Sequence, residues 1–164
     1  MIQIVLTIDI AAPPERCFDL ARSMDFHPHS MRATGERVVS GRASGLLELG
    51  DEVEFEGRHL GMTRRLRARI AEMDRPRTFV DVQVPGGGAF EALTHQHRFE
   101  PLAGVGTRVT DEIEIEVGYG PLSVAAERII VGPHLRRLVS QHQRNLKETA
   151  EMEGSDGWRR FLRG

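Results

Sequence analysis

Apolar and polar residues alternate along much of the chain up to Gly118, which is the pattern of β-strands with one buried face. In the first segment, MIQIVLTIDI, every second residue from Ile2 to Ile10 is apolar. Breaks that contain glycine or proline separate this segment from later ones of the same character. We predict a first strand there and six further strands at Glu36–Ser40, Asp51–Leu60, Met62–Asp74, Thr78–Val84, Ala89–Glu100 and Thr107–Gly118.

Helical spacing occurs in three places. Pro13 and Pro14 end the first strand and suit the first turn of a helix at Glu15–Ala21, and a short helical or irregular piece follows at Ser23–Met31. From Pro121 the apolar period becomes 3.6, which predicts a long amphipathic C-terminal helix with a kink at Gly132-Pro133. Its apolar stripe consists of Leu122, Ala125, Ile129, Leu135, Leu138, His142 and Leu146.

Length and composition predict one globular domain in a reducing compartment. A chain of 164 residues suits a single domain, which we place at 1–153 with a C-terminal tail at 154–164. Cys17 is the only cysteine, so no disulfide forms within the chain. The net charge of −2 argues against a nucleic-acid partner. Neither a signal peptide nor a run of about 20 apolar residues is found, so we expect a cytoplasmic protein without an integral membrane segment.

Charge pairing predicts the register of one hairpin. If Leu60-Gly61 is a two-residue turn, three glutamates of one strand lie opposite three arginines of the next, on the solvent face. These pairs are Glu52–Arg69, Glu54–Arg67 and Glu56–Arg65. The inner face then carries Val53, Phe55, Gly57 and His59 opposite Ala68, Leu66, Arg64 and Met62.

The last hairpin places further polar residues on the inner face. If Phe99 lies opposite Val109, His97 lies opposite Asp111, and Glu91, His95 and Ile113 share that face. The pattern around Asp81 leaves its face open. Together with His59 and Arg64, six inward polar residues lie in one small core. Since buried charges are costly unless they are paired or hydrated, this set favours a cavity that holds water and a ligand.

Several segments resemble the START/SRPBCC superfamily, which includes polyketide cyclases, lipid-transfer domains and plant pollen-allergen proteins. The resemblance covers nearly the whole chain, from Ile2 to about Glu151. It rests on PPERCFDLARSMDFHPHS, GDEVEFEGRHLGMTRRLRARI, RPRTFVDVQV, HQHRFEP and GTRVTDEIEIEVGYGPL, which are similar to blocks of an uncharacterised bacterial branch. It implies an α+β helix-grip fold, in which a curved antiparallel sheet of about seven strands wraps around the long C-terminal helix.

The preferred interpretation is binding or transport of a hydrophobic small molecule, such as a lipid, a polyketide-like compound or an aromatic metabolite. No cofactor and no metal are expected, and the protein is expected to be a monomer or a homodimer. The predicted ligand-binding residues are Phe55, His59, Arg64, Leu66, Glu91, His95, His97, Asp111, Ile113, Ile129, Leu138 and His142.

Two alternatives remain open at this stage. A cyclase or dehydratase would use His97, oriented by Asp111, as a base and Arg64 to stabilise an enolate, with His95 or His59 as proton donor. Alternatively, the pair His95-x-His97 on one strand face could hold a metal ion, with Asp111 or His59 as the third ligand.

Overall fold

The computed structural model describes residues 1–88, 90–116, 127–153 and 157–162. Its strands are β1 (Ile2–Ile10), β2 (Arg37–Gly41), β3 (Glu52–His59), β4 (Met62–Asp74), β5 (Thr78–Gln83), β6 (Ala92–Pro101) and β7 (Thr107–Glu116). Its helices are α1 (Pro14–Ala21), α2 (His27–Ser30) and α3 (Gly132–Glu151), with a π-helical turn at Glu127–Val131 before α3 and a 3₁₀ turn at Trp158–Leu162 after it. The parts of the predictions at residues 89, 117–118, 121–126, 154–156 and 163–164 lie outside the described residues.

The seven strands form one antiparallel sheet in the order β1-β7-β6-β5-β4-β3-β2. The register shifts between Val38 and Ser40 in β2 and between Ile70 and Glu72 in β4. Such bulges bend a sheet and increase its twist, so the sheet curves around the C-terminal helix. With two short helices after the first strand and one long helix at the C-terminal end, the predicted helix-grip fold is confirmed.

Both predicted hairpin registers are confirmed. Glu56 lies opposite Arg65 across β3 and β4, and His97 lies opposite Asp111 across β6 and β7. The β3–β4 turn consists of Leu60 and Gly61, which both have positive φ values, 52° and 80°. Two positive φ values are the geometry of a type I′ hairpin turn, which matches the right-handed twist of the strands that it joins.

The apolar core lies beneath α1. The ring of Phe18 packs edge-on against Phe79 and Phe99, with ring centroids 5.5 and 5.4 Å apart. The C-terminal tail closes the same core, since the ring of Phe161 lies 5.4 Å from that of Phe26. The Ser23 hydroxyl also donates a hydrogen bond of 2.6 Å to the carbonyl of Phe161.

Helix α3 begins beside Pro133, whose missing N–H is tolerated in a first helical turn. The π-helical turn changes to the α-helix at Gly132, which is where the sequence predicts a kink. No helix in the described part of the chain is long and apolar enough to cross a lipid bilayer. The buried face of α3 is partly polar and consists of Val139, His142, Gln143, Asn145, Leu146, Thr149 and Ala150.

Polar contacts dock α2 onto α3. The Ser30 hydroxyl donates to the carbonyl of His27 at 2.8 Å, so its oxygen accepts the bond from Nδ1 of His142, also at 2.8 Å. The amide of Asn145 donates to the carbonyl of Ser30 at 2.6 Å. Burial lowers the pKa of His142 to about 3, despite the opposing charge of Asp111. His142 is therefore a neutral hydrogen-bond donor at physiological pH.

We expect His142→Gln to flatten the pH dependence of folding stability on the acid side. The unfolded chain protonates His142 as the pH falls through 6.5, whereas the folded chain does so only near 3. The neutral ring of His142 thus contributes its full stabilisation above pH 6.5, and this contribution decreases as the pH falls from 6.5 towards 3. Removing the ring should reduce the slope of unfolding free energy against pH by up to about 1.4 kcal/mol per pH unit.

Urea denaturation at several pH values between 6.5 and 4 measures this slope. Ser30→Ala is the matched control, because it removes the partner of His142 without removing a titratable group. It should lower stability while leaving most of the slope in place. An unchanged slope in His142→Gln would contradict the assignment of a neutral buried ring.

Candidate functional site

A cavity of about 360 Å³ lies between the inner face of the sheet and α3. Its size is at the lower end of the range for small-molecule sites, about 300–1,000 Å³. Its walls are mainly apolar and come from strands β3 to β7, from α3, and from α1, α2 and the segments that follow these two short helices. The apolar residues that line it include Val53, Phe55, Leu66, Ala68, Ile70, Phe79, Leu93, Ile113, Leu135, Leu138 and Val139.

The structure brings nine of the twelve predicted ligand-binding residues to this cavity. They are Phe55, His59, Arg64, Leu66, His95, His97, Ile113, Leu138 and His142. The agreement follows from strand parity, because residues two positions apart on one strand share a face.

Three predicted residues lie elsewhere. Glu91 is exposed at the end of the sheet, one position before β6, where its charge remains hydrated. Ile129 is 75% exposed, because it lies in the π-helical turn, whose wider spacing rotates side chains away from the α-helical stripe. Asp111 is 1% exposed and lies behind the histidines rather than on the cavity surface.

Asp111 organises the floor of the cavity. One of its carboxylate oxygens accepts bonds from Nε2 of His95 at 3.0 Å and Nδ1 of His97 at 2.7 Å. Its other oxygen accepts a bond of 2.6 Å from the amide of Gln143 on α3. Burial disfavours the charged carboxylate, but the adjacent His97 and His95 outweigh it and hold the pKa of Asp111 well below its usual range.

Asp81 faces the same two histidines from the cavity side. It lies opposite His95 across β5 and β6, and its Oδ1 is 3.1 Å from Nε2 of His97 and 3.8 Å from Nδ1 of His95. His97 also stacks on Phe79, with ring centroids 4.2 Å apart. Burial opposes a charge on His97, but the carboxylates of Asp111 and Asp81 outweigh it and raise its pKa to about 9. The floor is therefore a compact set of carboxylates and imidazoles.

A second polar cluster lies at the mouth of the cavity. Glu36 accepts bonds from Nε2 of His27 at 2.9 Å, on one oxygen, and from Nε2 of His59 at 3.3 Å, on the other. Nδ1 of His59 lies 3.4 Å from Nε2 of His134, the third residue of α3. Burial alone would raise the pKa of Glu36. The hydrogen bonds and charges of His27 and His59 have the larger effect and lower this pKa to about 2. This mouth cluster joins α2, β3 and α3.

Gly57 makes room for the mouth cluster. A Cβ at this position would lie 2.6 Å from Cγ of Glu36 and 3.2 Å from Nε2 of His59, both closer than normal contact. The glycine inside strand β3 is a sequence signal for this close approach. Sequence reasoning did not find Glu36 or His134. Their contacts with His59 join different elements of the chain, and the contact between His59 and His134 spans 75 positions.

Arg64 lies at the rim of the cavity, away from the floor. It is exposed, pairs with Gly57 across β3 and β4, and contacts Sδ of Met62 at 3.6 Å. Six positions of β4 separate it from Ile70, which lies opposite Asp81. At about 3.3 Å per residue this separation is about 20 Å, beyond the reach of an arginine side chain. The expected cooperation of Arg64 with the floor histidines does not arise in this geometry.

The sequence and the fold were compared with those of known proteins. The family described as polyketide cyclase/dehydrase and lipid transport matches residues 1–151. No curated protein matches the sequence. Among solved structures, TTHA0849 from Thermus thermophilus is similar at a TM-score of 0.72 and 20% identity, over 90% of this chain and 95% of that one.

Two further solved structures share the fold. The ZhuI aromatase/cyclase from Streptomyces sp. R1128 has a TM-score of 0.71 at 12% identity, over 92% of this chain and 93% of that one. The major latex-like protein 151 from Panax ginseng has a TM-score of 0.63 at 14% identity, over 92% and 97%. At these identities the likeness concerns the fold alone. The match of the family over residues 1–151 shows that the chain belongs to the polyketide cyclase/dehydrase and lipid transport family of the SRPBCC superfamily.

Proposed function

We propose that this protein binds a hydrophobic or amphipathic small molecule in the cavity between the sheet and α3. The observation that carries the proposal is the cavity itself, with about 360 Å³ of space, mainly apolar walls and a polar floor. The family description supports it, since it names lipid transport beside polyketide cyclases and dehydrases.

The distribution of polar groups suits an amphipathic ligand. Each methylene group buried against the apolar walls contributes about 0.8 kcal/mol, but this contribution is not directional. The floor groups Asp81, His95 and His97 face the cavity and supply hydrogen bonds at one end. A few polar groups in an apolar pocket fix the orientation of the bound molecule. The ligand that fits best has an apolar body and one polar end.

We expect Ala68→Phe to weaken binding at least tenfold. Ala68 is buried on the cavity wall, so a phenyl ring there occupies space that the ligand needs. Ala92→Phe is the matched control, because it makes the same change at an exposed position outside the cavity. Titration with the fluorescent apolar probe 1-anilinonaphthalene-8-sulfonate measures the affinity, and native mass spectrometry of the freshly purified protein measures any co-purified molecule.

Two results would count against this function. One is equal probe affinity in wild type, Ala68→Phe and Ala92→Phe, which would place the probe outside the cavity. The other is failure of the wild type to bind any member of a broad panel of lipids and aromatic compounds. Circular dichroism establishes that each variant is folded.

A cyclase or dehydratase activity is the second candidate, and the floor geometry favours it. His97 faces the cavity beside Asp81 and is held from behind by Asp111, at 3.1 and 2.7 Å respectively. In an aldol cyclisation, a proton leaves an α-carbon, a C–C bond forms and the attacked carbonyl oxygen takes up a proton. Dehydration then removes that hydroxyl and a second α-proton as water. Since the pKa of His97 is raised to about 9, its ring is protonated at neutral pH and can donate a proton to the carbonyl oxygen, while the adjacent carboxylate of Asp81 can accept one.

A synthetic linear β-polyketone tests this activity, with cyclised products measured by liquid chromatography and mass spectrometry. If the protein is such an enzyme, His97→Ala should lower turnover by about 10²–10⁴-fold, which is the usual contribution of general acid–base catalysis. His29→Ala is the control, since His29 does not line the cavity. Turnover that is equal in His97→Ala and wild type would exclude this role for His97.

A further inference from the structure

Three potential ligand atoms converge at the floor of the cavity. The carboxylate of Asp81 and one ring nitrogen each of His95 and His97 all lie within 4.8 Å of one another. Strand geometry produces this convergence, because His95 and His97 are two positions apart on β6 and Asp81 lies opposite His95 on β5. All three side chains line the cavity.

The nitrogens that face Asp81 are the ones that Asp111 leaves available. Asp111 is bonded to Nε2 of His95 and Nδ1 of His97, so Nδ1 of His95 and Nε2 of His97 point towards Asp81. Gln143 holds Asp111 in turn. In metal sites, each ligating histidine usually donates its other N–H to a carboxylate or carbonyl, which fixes the orientation of the ring. Here one buried carboxylate serves both histidines.

The distances between the three potential ligand atoms suit a transition-metal ion. Bonds of about 2.0–2.2 Å at tetrahedral angles place neighbouring ligand atoms about 3.3–3.6 Å apart. The distances from Oδ1 of Asp81 are 3.1 Å to His97 and 3.8 Å to His95, on either side of that range. The 3.8 Å between His95 and Asp81 is too long for a hydrogen bond. The hydrogen bond between His97 and Asp81 therefore does not explain why His95 also faces this carboxylate.

The mouth cluster lacks this convergence. Its histidines His27 and His59 contact different oxygens of Glu36, and His134 contacts the other nitrogen of His59. The groups therefore form a chain of pairwise contacts. This difference makes the mouth cluster an internal comparison for the floor.

We propose that Asp81, His95 and His97 bind one divalent first-row transition-metal ion, such as Zn²⁺ or Fe²⁺, at the floor of the cavity. Two imidazoles and one carboxylate suit such ions, whereas Mg²⁺ and Ca²⁺ prefer sites built from oxygen atoms. Three protein ligands leave coordination positions for water or for a ligand group in the cavity. Asp111 is a positioning residue, which acts through the two histidines.

Calorimetric titration of chelator-treated protein with Co²⁺ or Zn²⁺, without any organic ligand, tests this site. We expect one equivalent to bind, and Asp81→Asn and His95→Gln to weaken binding at least tenfold. Asp111→Asn should weaken it by about 10- to 100-fold, which is typical of the loss of such a supporting partner. His29→Gln is the control and should leave both stoichiometry and affinity unchanged.

Paramagnetic NMR of the wild-type protein gives a second readout that does not depend on the folding of any variant. Added Co²⁺ should perturb the amide signals of residues 81, 95 and 97 more than those of residues 36, 59 and 134. The proposal is overturned by an absence of saturable binding, by affinity that Asp81→Asn leaves unchanged, or by perturbation centred on the mouth cluster. A protein that binds Co²⁺ but no apolar probe would support this site and contradict the proposed function, and the reverse result would contradict this site alone.

Discussion

The carboxylate of Asp111 is the group on which the interior of this protein depends. It is 1% exposed, and an unpaired charge at such a depth would cost several kcal/mol. Donors from His95 and His97 on β6 and from Gln143 on α3 meet that requirement. Since Gln143 also donates to the carbonyl of Leu6 on β1, the same side chain joins the helix to two strands of the sheet. Docking of α3 and the orientation of both floor imidazoles therefore have one physical origin.

Polar and apolar side chains lie in different parts of the cavity. Polar groups concentrate at the floor, around Asp81 and Asp111, and at the mouth, around Glu36, while apolar side chains form the walls between them. A cavity of this kind holds a molecule by its apolar body and orients it by its polar end. The helix-grip fold does not choose between carrying such a molecule and reacting with it, because that choice depends on what the floor groups do.

The predictions from the sequence succeeded where the residues of one strand restrict how the neighbouring strand can pair with it. Alternation of apolar and polar residues placed the strands, and the row of opposite charges between β3 and β4 specified which residues pair. A shift of one residue would bring like or unpaired groups onto the wrong face, so this register is strongly determined. The same reasoning placed His97 opposite Asp111 and brought nine predicted residues to the cavity.

Local periodicity was thus sufficient for the order of the elements, the inner faces of β3, β4, β6 and β7, and the existence of a polar interior. It could not place Asp81, because β5 is buried on both faces, at Phe79 and at Val80, and parity then carries no information. Glu36 and His134 meet His59 only because the curved sheet and α3 bring distant segments together at the mouth. Periodicity describes how a residue relates to its neighbours along one element, whereas these clusters depend on bulges, helix phase and long-range packing, which only the tertiary structure sets.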